Sequence, residues 1–152
     1  MLQLHRILFV CLGNVCRSPI AEYLLRSKLG EGSVIKVESA GIHPPAGAPI
    51  HRTAAELLLA QGINPKRHRA RQLTPELLLQ ADLVLVMEKE QIRYLLNMAP
   101  LVRGRVFLLD KFRDNEPIPD PVRLERPAFE HVYTLIDQAT DQWLQHLEPS
   151  TE

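Results

Sequence analysis

A chain of 152 residues, 45% of them hydrophobic, is long enough for one globular domain with a core of its own. Its 18 Lys and Arg equal its 18 Asp and Glu, so there is no basic excess to suggest nucleic acid and no acidic tail, and partners have to be argued from local patches. No apolar run approaches the roughly 18 residues of a membrane span, and the apolar N-terminal run lacks a signal-peptide layout, so a cytoplasmic protein without membrane insertion is expected.

In chain order, Ile7-Leu8-Phe9-Val10 is a continuous apolar run, as in a parallel strand covered on both faces. Ser18 is placed as an N-cap and Pro19 as the first helical residue; Ile20, Ala21, Leu24 and Leu25 follow at helical spacing, and the helix closes near Leu29-Gly30. The loop between them therefore joins the carboxyl end of a strand to the amino end of a helix, where unpaired backbone N–H groups and the helix dipole form an anion site. The spacing of Cys11 and Arg17 lets the backbone wrap a tetrahedral oxyanion, with the sulfur beneath it and the guanidinium taking two of its oxygens. The same positive surroundings favour thiolate over thiol, and a thiolate beneath a bound phosphate is a nucleophile in line for attack. Gly13 is expected to make the sharp turn, and Asn14 to tolerate a left-handed conformation.

A β-branched stretch over 34–37 predicts the second strand, followed by Ile42-His43-Pro44-Pro45-Ala46-Gly47-Ala48-Pro49, too rich in Pro and Gly for regular structure. That loop reads as a binding loop or as plain connection. An amphipathic helix is predicted over 50–61, closed by Gly62. Lys66-Arg67-His68-Arg69-Ala70-Arg71 is a concentration of basic groups, for which a solvated connection is the competing reading. Thr74-Pro75 opens a short helix; strands are predicted over 83–87 and 105–109, with a helix over 88–98 between them. Such alternation gives a parallel sheet with right-handed crossovers and helices on both faces. In Ile118-Pro119-Asp120-Pro121-Val122 two prolines stiffen the backbone around one carboxylate, which reads either as a turn residue or as a fixed acid. Asp110, Asp114 and Glu116 are nearby carboxylates without that setting. A long helix over 127–147 carries Phe129, Val132, Tyr133, Ile136, Ala139, Trp143 and Leu147 as a core stripe, and 148–152 are expected to fray.

The only two cysteines, Cys11 and Cys16, share the loop. A structural disulfide framework would spread its cysteines along the chain, and neither a second cysteine pair nor a His-x3–5-His spacing exists for zinc, so no metal is expected. Two thiols this close could form a reversible Cys11–Cys16 disulfide under peroxide; Cys16 as small loop packing is the alternative.

The run Cys11-Leu12-Gly13-Asn14-Val15-Cys16-Arg17-Ser18-Pro19-Ile20-Ala21-Glu22 resembles the signature of the low-molecular-weight protein tyrosine phosphatases, and of their bacterial branch in particular. Glu38-Ser39-Ala40-Gly41, His68 to Leu73, Asp82 to Met87 and Asp120-Pro121 ahead of a long helix extend the resemblance over nearly the whole chain. It implies one α/β domain over 1–152, a three-layer sandwich around a four-stranded parallel sheet of order 2-1-3-4, with the phosphate-binding loop after the first strand. It also implies hydrolysis of phosphotyrosine through a phosphocysteine without a cofactor. In that scheme Cys11 is the nucleophile, Arg17 binds phosphate and Asp120 is the general acid and base. Leu12, Gly13, Asn14, Val15, Cys16 and Ser18 complete the loop, with the Ser18 hydroxyl donated to the sulfur. Ser39 and His68 resemble the pair that hydrogen-bonds the loop asparagine, here Asn14.

Two departures bear on specificity. The family usually has an aromatic residue directly after Asp-Pro, where this chain has Val122, and many members have one in the loop near 42–46, where it has His43 and prolines; both walls of the aryl pocket are therefore expected to be thin. Val15 resembles the aliphatic residue of the tyrosine-specific members, whereas the arginine-phosphatase relatives carry threonine. A thioredoxin-coupled arsenate reductase shares this loop but needs two further cysteines downstream, and none follows Cys16. A phosphoryl-binding or phosphocarrier module remains the rival of a different class. The bacterial likeness implies a phosphotyrosine protein as partner, such as a tyrosine autokinase of exopolysaccharide export, and a monomer or weak dimer.

Overall fold

The computed structural model describes residues 4–147, and the apolar run at its start lies in the middle of a sheet. β1 (Arg6–Cys11) is flanked by β2 (Lys36–Gly41) and β3 (Leu83–Val86), with β4 (Val106–Leu108) outermost, so the order is β2-β1-β3-β4 and every pairing is parallel. The sheet alternates side chains between two cores. Ile7 and Phe9 of β1 and Leu83 and Leu85 of β3 face one helical layer: α1 (Arg17–Leu29), α2 (Arg52–Ala60) and α5 (Arg126–His146). Leu8, Val10, Val84 and Val86 face the other, where Leu78 of α3 (Pro75–Gln80) and Leu95 of α4 (Lys89–Met98) pack with Val102 of a short 3-10 turn. The expected three-layer α/β architecture and strand order are thus present.

Local chemistry sets the element ends. Thr74 Oγ1 accepts the Leu77 N–H (3.2 Å) and Pro75 occupies the first turn, so α3 begins where its cap demands. At the start of α4, Gln91 Oε1 accepts the N–H groups of Met87 (3.0 Å) and Glu88 (3.1 Å). The stripe of α5 is core as expected: Phe129, Val132, Ile136, Ala139 and Trp143 are buried, and Trp143 Nε1 donates to Leu109 O (2.8 Å).

Two expected boundaries are corrected. α1 starts at Arg17 with Cys16 as its N-cap, so Ser18 lies inside the first turn and its hydroxyl is used in the loop instead of capping. β2 spans Lys36–Gly41 and not 34–37: Val34 is exposed, and pairing in register from Arg6↔Lys36 to Cys11↔Gly41 carries the strand through Glu38 and Ser39, whose polarity hides it from a hydrophobic reading. The expected fraying of 148–152 lies outside the described residues. As the edge strand, β2 has its outer carbonyls occupied by side chains: Arg26 Nη2 donates to Val37 O (2.8 Å) and Arg71 Nε to Ser39 O (2.9 Å). Among the described residues no helix is long and apolar enough to cross a membrane.

Phe129, at the head of the α5 stripe and 1% exposed, tests the larger core. Phe129→Ala is expected to lower unfolding free energy by about 3–5 kcal/mol in urea titrations, because the void cannot close between α5 and the sheet; a loss under about 1 kcal/mol would mean that this layer is loosely packed.

Candidate active site

The loop 11–17 turns on Asn14, the one loop residue with a left-handed backbone (φ 56°). A left-handed Asn is costly without support, and here its polar groups are all engaged. Its side-chain amide donates to Ser18 Oγ (2.8 Å) and Ser39 Oγ (2.9 Å), Oδ1 accepts the Arg71 N–H (3.0 Å), and its carbonyl accepts from His68 Nε2 (2.7 Å). Because Arg71 N–H requires an acceptor, the orientation of the Asn14 amide is fixed.

Proton directions follow from that orientation. Ser39 accepts from Asn14, so its own hydrogen goes to Glu22 Oε1. Ser18 likewise accepts from Asn14, which leaves its own hydrogen available to a thiolate at Cys11 Sγ, 2.9 Å away. The sulfur also receives the Asn14 backbone N–H at 3.2 Å. A buried sulfur with two donors aimed at it is a site for negative charge. Cys11 and Cys16 are both free thiols, 2% and 3% exposed. Burial, followed by the neighbouring Cys11 and Asp120 charges, pushes the Cys16 thiol far up, so Cys16 stays protonated.

Arg17 is buried to 2% exposure and carries a charge that needs partners. Nη1 donates to Glu88 Oε2 (2.9 Å) and Ile118 O (2.8 Å), and Nη2 stands 3.4 Å from Asp120 Oδ2. Asp120 Oδ1 accepts the Val122 N–H (3.1 Å), an Asx turn that fixes the carboxylate. The rival Asp110 is occupied by its own turn, accepting from Arg113 Nη1 and from the N–H groups of Asp114 and Glu116. Val122 is 37% exposed, and His43, also exposed, is tied to the loop by its N–H on Leu12 O (2.8 Å).

The sharp turn expected of Gly13 is made by Asn14: Gly13 has no positive φ, and a Cβ there would meet only Val15 Cγ2 at 3.7 Å. The glycine the site requires is Gly41 at the end of β2, where a Cβ would lie 2.9 Å from both Leu12 O and Asn14 Cβ. Sequence reasoning also missed the parts played by Glu22, Arg71 and Glu88. For Glu88 a signal was available, since it follows a parallel strand at its carboxyl end, where such sheets place their sites. A broad groove of about 1220 Å³ reaches Glu22, Ser39 and His68, the layer that holds Asn14, and its lining does not include Cys11.

A cysteine and a buried arginine bracket a strand-to-helix loop, the setting in which backbone N–H groups and a helix end favour an anion. The family described as low molecular weight phosphotyrosine protein phosphatase matches residues 6–152, and the chain belongs to this family of protein tyrosine phosphatases. It is 41% identical over 146 residues to the low molecular weight protein-tyrosine-phosphatase Etp of Escherichia coli K12, covering 96% of this chain and 97% of that one. Among solved structures it is similar to the tyrosine phosphatase AmsI of Erwinia amylovora (36% identical, 97% and 95% of the two chains, TM-score 0.90). A second is Vibrio vulnificus Wzb in complex with benzylphosphonate (37% identical, 95% and 99%, TM-score 0.89).

Burial holds His68 below its ordinary value of 6.5, against the opposing pull of the Asn14 carbonyl, so its neutral ring donates to that carbonyl. The folded state resists the proton that the unfolded chain takes up, so this contribution is complete above the ordinary value and declines as pH falls from there toward the lower folded value. In urea titrations His68→Gln should be less stable than the parent at about pH 8, with the gap narrowing by about pH 5. A gap that is constant or widens toward acid contradicts this account.

Proposed function

We propose that the protein hydrolyses phosphotyrosine in two steps at this loop. The observation that carries the reading is the shared neighbourhood of nucleophile and acid: two donors converge on Cys11 Sγ, while Arg17, the next turn of the same loop, holds Asp120 at 3.4 Å. In the first step the Cys11 thiolate attacks phosphorus as the bond to the tyrosyl oxygen breaks, and Asp120 gives its proton to that oxygen. In the second, water attacks phosphorus, its proton returns to Asp120, and the sulfur leaves as a thiolate that the Asn14 N–H and Ser18 hydroxyl stabilise. Arg17 and the amides of Leu12, Gly13, Val15 and Cys16 bind the equatorial oxygens throughout. Glu88 holds Arg17 in plane, and Ser39 and His68 keep Asn14 in shape.

The reading extends to one phosphatase domain over 1–152, acting in the cytoplasm on a phosphotyrosine protein as a monomer or weak dimer. By analogy with the bacterial branch of the family, a tyrosine autokinase of exopolysaccharide export is the favoured partner. Asp120 beside Arg17 favours hydrolysis over a phosphocarrier role, which needs no acid.

With p-nitrophenyl phosphate, Cys11→Ser is expected to abolish turnover and Asp120→Asn to lower kcat by about 10²–10⁴-fold. Cys11 must be ionised and Asp120 protonated, so the pH profile should be a bell with its optimum on the acid side of neutrality; an optimum well above about pH 8 contradicts the pairing. A parent that releases at most one equivalent of product is a phosphocarrier or binder. For Cys16, we propose that peroxide converts the Cys11 thiolate to a sulfenic acid, whose sulfur the Cys16 sulfur then attacks, the sulfenic hydroxyl leaving with the Cys16 proton as water and a disulfide forming. After peroxide, a dithiol should restore the parent more completely than Cys16→Ser; equal recovery would sink the role.

A further inference from the structure

The chemistry at Cys11 fixes where phosphorus sits and leaves open what the departing aryl group rests on. Among the described residues, Tyr94 is the only Phe, Tyr or Trp that is exposed, at 42%. The other seven are buried or half-buried. An isolated exposed aromatic is where aromatic recognition is sought first.

Its placement ties it to the loop by two routes. α4 begins directly after Glu88, the partner of Arg17. A helical side chain leans toward its helix N-terminus and covers the preceding turn, so Tyr94 leans toward the Glu88 end. Its ring is also edge-on to His43, with centroids 6.4 Å apart and planes at 71°. His43 is in turn bonded through its N–H to Leu12 O (2.8 Å), and Leu12, next to the nucleophile, is 44% exposed. His43 thus links two other elements: its backbone is held at Leu12, the residue after Cys11, and its ring meets Tyr94. On the Asp120 segment the corresponding neighbour is the aliphatic Val122.

We infer that Tyr94 is a specificity-determining residue: packed edge-to-face on His43, it positions that imidazole as the wall against which the ring of an aryl phosphate lies. Preference for aromatic over alkyl phosphomonoesters then comes from α4 and the loop after β2, and not from the segment that carries the acid. The inference rests on the phosphate site proposed above.

Benzylphosphonate and methylphosphonate share the phosphonate, differ by the ring and are not turned over, so their binding by calorimetry reads the wall separately from hydrolysis. The parent should bind benzylphosphonate more tightly. Tyr94→Ala should weaken benzylphosphonate about 2- to 10-fold, the size of one edge-to-face contact, while methylphosphonate is unchanged and Tyr94→Phe behaves as the parent. With p-nitrophenyl phosphate the same variant should raise KM by a similar factor at constant kcat. His43→Ala, from a different element, should reproduce the loss, and the double variant should lose no more than His43→Ala alone. Equal weakening of both phosphonates by Tyr94→Ala overturns the inference, since Tyr94 would then be supporting the loop; so does no change in either. A parent that discriminates the two phosphonates but does not hydrolyse p-nitrophenyl phosphate retains this inference and overturns the hydrolytic reading.

Discussion

A left-handed asparagine whose hydrogen-bonding groups are all occupied holds the site together. Asn14 costs conformational energy, and four residues from three elements cover that cost: Ser18 from α1, Ser39 from β2, and His68 and the Arg71 amide from the connection before α3. The arrangement is cooperative, because each hydroxyl that accepts from Asn14 keeps its hydrogen for a further acceptor, Glu22 in one case and a Cys11 thiolate in the other. The side-chain contacts of Ser18 beside the Cys11 sulfur therefore depend on a backbone N–H on the far side of the asparagine, that of Arg71. Gly41 adds the steric half of the same constraint, since the end of β2 must pass against Leu12 and Asn14 without a side chain.

Arg17 is the second hub, and its logic is electrostatic. A guanidinium at 2% exposure demands compensation, and it draws that compensation from the cap of α4 and from the 118–120 segment, which is itself anchored by Ile118 N–H on Met87 O (2.9 Å). The β1–α1 loop, the β3–α4 junction and the Asp120 loop are thereby referred to one planar group. Fork geometry explains why lysine could not replace it: two carboxylates and a carbonyl are met from different edges of the plane.

Much of this was legible in the sequence, and the parts that were not share a physical cause. The apolar runs of β1 and β3 and the stripe of α5 are read by hydrophobic periodicity, which senses burial. Cys11, Arg17 and the cap-like Ser18-Pro19 are read because phosphate binding restricts residue types at fixed spacing. Periodicity failed at β2, where Glu38 and Ser39 are polar because they serve as partners of Arg6, Arg71 and Asn14. It could not find Glu88, Arg71 or Tyr94 either, because each acts across the fold on a group far away in sequence, and that proximity exists only once the strands are ordered. Ser18 shows the opposite error: its local propensity to cap was real, but the loop made a better offer in the form of a buried sulfur and an amide.

The arginines on β2 carry a consequence beyond catalysis. An edge strand presents a row of free carbonyls that a strand from another molecule can pair with, the usual opening for aggregation. Here Arg26 and Arg71 already sit on the outer carbonyls of Val37 and Ser39, and the opposite edge is closed by the brevity of β4. Arg71 also supplies the amide that orients Asn14. The two roles of Arg71 are separable, because the guarding group is its side chain and the orienting group its backbone N–H, so any residue but proline at this position keeps Asn14 oriented while only a long donor side chain keeps the edge covered.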